Sequence, residues 1–221
     1  MTSAPARHYS IELPDVTFSF IPFGLLLGAA LLLPENAPDP TMARTVYTIW
    51  VTTVLVTPAL CAFALPGSSP HKRAVWLLFW SFAFAAYVVH ALYAYFGVYG
   101  GSFQRFLTGQ GVLPAIVNVV FTLWWTLDVL LAWLHDDRPK WVRVQRVAAH
   151  IFIGLTFFAS AVILKRGFIN VLGAVMTAAV IVWLLIRHAA PQAAGVKGNP
   201  AMRPLNGQAN ATVRTLSAEA E

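Results

Sequence analysis

Asp128 is the one acidic side chain deep inside an apolar run, and His90 and His150 are the two histidines well inside others. An uncompensated charge at the centre of a bilayer costs roughly 3 kcal/mol or more, so such residues face partners or pathways rather than lipid. A carboxylate in that setting is a candidate carrier for protons or small solutes. Imidazoles in that setting are the ligands of b-type haem, and aromatic neighbours suit a quinone.

Spacing groups these residues. Asn118, Thr122, Trp125, Asp128 and Ala132 recur at intervals of three and four, which places them on one helix face. Trp76, Trp80, Tyr87, His90 and Ala94 share a face of another helix, and His150, Gly154, Phe157 and Ala161 share a third. Trp80, Tyr87 and Trp125 are the candidate aromatic lining of any site between them.

At ~1.5 Å of rise per residue, Asp128 and His150 lie roughly 9 and 5 Å from the inner ends of consecutive helices. That predicts an Asp128–His150 contact. By the same reasoning His90 and Asn118 lie at similar depth near the outer ends, where either Asn118 or a tyrosine is positioned to satisfy His90. His90 and His150 are then roughly 20 Å apart along the membrane normal, too far to share one haem.

Three readings fit this set. In the first, the residues are structural, with interhelical hydrogen bonds worth on the order of 1 kcal/mol each, and the protein has a structural or accessory role. In the second, His90 or His150 is a single axial ligand of haem b, or a quinone binds nearby, in a redox subunit. In the third, Asp128 titrates in a proton or solute transporter. No Walker A loop, zinc signature or nucleophile elbow points to a reaction, and adjacent Asp136 and Asp137 do not make a metal site by themselves.

The elements that must position these residues are long apolar runs. They cover about 17–33, 45–65, 74–99, 112–134, 147–164 and 168–186, close to the ~20 residues that span a ~30 Å hydrocarbon core. The hairpin 111–166 organises the rest, with two apolar helices joined by the densest basic loop. The reading is an all-α polytopic integral membrane protein, six transmembrane helices with short loops. Residues 1–16 form a polar N-terminal segment. Glu12 and Asp15, directly before the first run, argue against a cleaved leader. Residues 187–221, rich in Pro, Gly, Ala, Asn and Gln, read as a disordered cytoplasmic tail.

Composition agrees. The 221 residues are 58% hydrophobic and 11% charged, against roughly 25% charged in soluble domains. The net charge of +6 therefore reads as orientation rather than nucleic-acid binding. With both termini inside, eleven Lys and Arg fall on the inner side: Arg7, Lys72, Arg73, Arg138, Lys140, Arg143, Arg146, Arg187, Lys197, Arg203 and Arg214. Four fall outside: Arg44, Arg105, Lys165 and Arg166. That asymmetry predicts an N-in, C-in topology in a bacterial inner membrane.

Trp76 and Trp80 at an inner helix end, and Tyr93, Tyr95 and Tyr99 at an outer end, resemble interfacial belts. Trp124 and Trp125 lie deeper and pack within the bundle. His71, His135 and His188 read as interface residues. Gly24 and Gly28 fit close helix packing, as does the small-residue face Gly173, Ala174, Thr177 and Ala178. The implied partners are the bilayer and either a partner membrane protein or a second copy, not nucleic acid.

Overall fold

The computed structural model describes residues 11–64, 69–135 and 139–189. All regular structure among them is helical. The helices are α1 (Leu13–Leu32), α2 (Pro40–Ala64), α3 (Pro70–Leu92), α4 (Phe103–Gln110), α5 (Val112–Leu134), α6 (Lys140–Phe157) and α7 (Phe168–Ala189). A 3-10 turn, Leu33–Asn36, extends α1, and π-helical turns extend α3 over Tyr93–Val98 and α6 over Phe158–Leu164. Six of these units are long and apolar enough to cross a membrane. The chain is an all-α polytopic membrane protein.

Helix boundaries depart from the apolar runs at several places. α6 starts at Lys140 rather than near 147, α2 at Pro40 rather than 45, and α1 at Leu13 rather than 17. Hydropathy marks where a helix enters hydrocarbon, whereas the backbone begins its hydrogen bonding earlier, at the wet interface. Pro139, at the N-cap of α6, suits such a start because it has no amide N–H to satisfy. The stretch 102–111, expected as a loop, contains α4, started by Ser102 accepting from the Arg105 amide. The N-terminal residues 1–10, the loop acids Asp136 and Asp137 with Arg138, and the tail from 190 lie outside the described residues.

Turns fall where glycine permits them. Gly167 (φ 83°) separates the π-helical end of α6 from α7, and Gly100 and Gly101 (φ 60° and 70°) end α3. These left-handed conformations disfavour side chains with a Cβ.

α2 and α3 form the centre. Half of the most apolar window of α2 is buried, against 11% for α1 and for α7. Val56, Ala59, Leu77, Trp80, Ala83, Ala86, Trp125 and Ile153 are fully enclosed where α2, α3, α5 and α6 meet. α2 is rich in threonine, yet Thr48, Thr52 and Thr53 are buried without cost in hydrogen bonding. Each hydroxyl donates to the carbonyl one turn back: Thr48 to Arg44 at 2.7 Å, Thr52 to Thr48 at 2.9 Å, Thr53 to Ile49 at 2.8 Å.

Two side chains close helix ends. Arg44 Nε donates to the Leu31 carbonyl at 2.9 Å, tying α2 to the end of α1. Asn170 of α7 donates to the Val162 carbonyl at 2.8 Å, satisfying an exposed end of α6. The Gly24 and Gly28 pair meets no neighbouring helix, so that expected packing site is corrected. Gly173 does meet one: a Cβ there would stand 2.6 Å from the Ala161 Cβ. Ala174 and Ala178 face outward.

Candidate functional site: a buried Asp-Arg-His-Trp cluster

The first turns of α3 and α6, the last turns of α5 and the end of α2 converge at one end of the bundle. Trp76 and Trp80, four residues apart on α3, project from the same face one turn apart. Arg146 and His150 have the same spacing on α6. Asp128 faces both pairs from α5. Asp128 and Trp80 have no exposed surface, and Arg146 and His150 are 3% exposed.

Hydrogen bonding orders these groups. Trp80 Nε1 donates to Asp128 Oδ2 at 2.9 Å. Trp76 Nε1 donates to His150 Nε2 at 3.0 Å. An indole N–H donates and does not accept, so His150 Nε2 carries no proton. The imidazole proton sits on Nδ1, which donates to the Arg146 carbonyl at 2.8 Å. His150 is therefore neutral in this arrangement.

Its faces are covered as fully as its edges. Trp80 stacks on one ring contact at 4.0 Å with 12° between planes, and Phe63 of α2 stacks at 3.9 Å with 21°. With both nitrogens engaged and aromatic rings packed against it, His150 offers no nitrogen to an iron. The residues around it do not fit a haem.

The charges lie beside this imidazole. Arg146 Nε is 3.8 Å from Asp128 Oδ1, and its guanidinium carbon lies 4.9 Å from the Trp76 ring centroid. At an effective dielectric of about 20, unit charges 4 Å apart attract by about 4 kcal/mol. An arginine guanidinium is always charged in proteins, and Asp128 supplies a carboxylate beside it that helps make its burial tolerable.

The sequence-derived candidates separate into two groups. Asp128 and His150 are brought together, with Oδ2 and Nδ1 at 3.9 Å. They do not hydrogen-bond to each other, because Trp80 and the Arg146 carbonyl take those positions. Trp125 packs on Trp80 at 5.0 Å and Tyr87 on Trp125 at 5.5 Å, one storey farther along. Tyr87 hydrogen-bonds Thr122 at 2.8 Å. His90 and Asn118 do not meet. His90 Nδ1 donates to the Thr45 carbonyl of α2 at 2.8 Å, and Asn118 donates to Gln110 of α4. The expected Asn118 or tyrosine partner for His90 is thus replaced by a backbone carbonyl.

Two further expectations are corrected. Trp76 and Trp80 are cluster members rather than an interfacial belt. Arg146, taken as a loop cation, is a buried helix residue. Stepping the His150, Gly154, Phe157 and Ala161 face back by four reaches Arg146, so its place was encoded in that spacing. The hydropathy boundary at 147 concealed it. His71 also does more than sit at the interface: its Nδ1 contacts Asp15 Oδ1, joining the start of α3 to the start of α1. Asp15 is 2% exposed and also accepts from the Glu12 amide at 3.1 Å.

Compared with protein-family models, curated proteins and solved structures, the chain gives no match.

Proposed function

We propose that this is a small polytopic membrane protein with a structural or accessory role, and that its buried polar cluster fastens the bundle. The observation that carries this reading is the placement of Arg146 against Asp128, with Trp80 donating to the same carboxylate. A proton carrier must shed its charge and regain it. Asp128 is held at once from α6 by Arg146 and from α3 by the Trp80 indole, and giving up either contact disturbs the seating of a helix, so the arrangement favours fixing helices over moving protons. The engagement of both His150 nitrogens argues likewise against a haem-linked role for that residue.

The basic asymmetry of the sequence supports an N-in, C-in orientation, which puts the cluster in the cytoplasmic leaflet of a bacterial inner membrane. The accessory role would be exercised through a partner membrane protein or a second copy in the bilayer.

The test compares Asp128→Asn, Arg146→Met and the double variant in detergent and in proteoliposomes. Removing one member of a buried pair costs about 3–5 kcal/mol, and removing both costs less than the sum. The expected result is loss of folded protein in each single variant and partial recovery in the double. An Asp128→Asn protein of unchanged thermal stability that has lost proton or solute flux would overturn the structural reading in favour of transport.

A further inference from the structure

We propose that the outward face of α6 binds one anionic phospholipid, with Lys140 and Arg143 on its phosphate and a track of aliphatic side chains along its acyl chain. Lys140 and Arg143 are exposed and, among the described residues, neither meets an acidic group. Below them on the same face run Val144, Val147, Ile151 and Leu155, which are 68%, 42%, 56% and 60% exposed. From Val144 to Leu155 the helix rises about 16 Å, close to the roughly 15 Å of hydrocarbon in one leaflet. Trp141, 59% exposed, stands beside the cations at headgroup level.

Charge complementarity identifies the occupant. The positive end of the helix dipole lies at the start of α6, where acidic side chains are favoured. This first turn carries Lys140 and Arg143 and no acid, a placement that a bound anion relieves.

Among the described elements ending at this side, α6 alone combines two outward cations with an outward aliphatic track. α1 begins with Glu12 and Asp15. α5 ends in Trp133 and Leu134. α3 begins with Lys72 and Arg73, which have interactions of their own, and its one strongly exposed large apolar side chain is Leu92 at the far end, so it has no outward aliphatic track below its cations. Its His71 is against Asp15, and Arg187 of α7 donates to the Ala64 carbonyl. Asp136 and Asp137 precede the face in sequence and lie outside the described residues.

The experiment is native mass spectrometry of the full chain in mild detergent, titrated with dioleoyl phosphatidylglycerol or dioleoyl phosphatidylcholine. The wild type is expected to retain the anionic lipid preferentially. Each cation near an anionic headgroup contributes a factor of about five, so Lys140→Gln with Arg143→Gln should lower retention on the order of twenty-fold. Lys140→Arg with Arg143→Lys should preserve it, and Lys165→Gln with Arg166→Gln at the opposite end should leave it unchanged. Equal retention of the two lipids by the wild type overturns the proposal without recourse to any variant. So does undiminished retention by the Gln pair. Displacement by millimolar inorganic phosphate would mean that the cations take a phosphate group alone, which also overturns it.

Discussion

An arginine enclosed by membrane-spanning helices keeps its charge, and several described groups around Arg146 are arranged accordingly. Asp128 lies beside its Nε, the Trp76 ring lies near its guanidinium, and its own carbonyl accepts from His150. The two tryptophans act as hydrogen-bond donors with large apolar bodies, which is how they fill the interior and still order two polar groups. Trp76→Phe keeps the aromatic body and removes the donor to His150 Nε2. A buried acceptor deprived of its partner costs about 1–3 kcal/mol, so the melting temperature in detergent should fall. Trp133→Phe removes a bond to Ser81 on the outward face, where the serine hydroxyl can turn to the carbonyl one turn back on its own helix, and should change stability by less than about 0.5 kcal/mol. Equal effects of the two substitutions would contradict the special role of the buried bond.

At the scale of elements, helices are joined by few but specific devices. Asn170 closes the π-helical end of α6, and Gly173 lets α7 approach that same segment at Ala161 and Val162. Lipid supplies no hydrophobic drive for helix association, so close backbone approach through small residues matters more here than in water. Gly173→Leu places atoms where Ala161 already stands, and should cost about 1–3 kcal/mol through overpacking. Gly28→Leu, at a position with open space around it, should be tolerated. Thermal melts of both variants in the same detergent make the comparison. A Gly173→Leu protein as stable as the wild type would mean that α7 is not held at this contact.

For the whole molecule, six spans place both ends of the bundle's chain on one side of the membrane. A reporter fused after Arg187 should read cytoplasmic if the basic asymmetry sets orientation. An external reading would reverse the proposed leaflet of the Asp128 cluster and of the α6 lipid face together. The interior of the fold is carried by α2, α3, α5 and α6, while α1 and α7 turn most of their surface outward. That division suits a protein whose peripheral helices meet lipid or another chain.

Span number, helical class and the inward faces were legible in the linear order. Hydrocarbon thickness dictates the length of an apolar run, and helical periodicity dictates which residues share a side. The nearness of Asp128 to His150 followed from the same arithmetic, because both lie close to one short connection. What hydropathy could not convey was the first turns of α6, since a helix that starts in the interface reads there as a basic loop. Arg146 was hidden for that reason. Nor does spacing along one helix say which neighbour lies opposite it. Tertiary packing gave His90 to the Thr45 carbonyl rather than Asn118, and set Trp76 and Trp80, rather than each other, as the donors to His150 and Asp128. Those pairings depend on helix rotation and crossing, which are set by side-chain volumes from several distant segments at once.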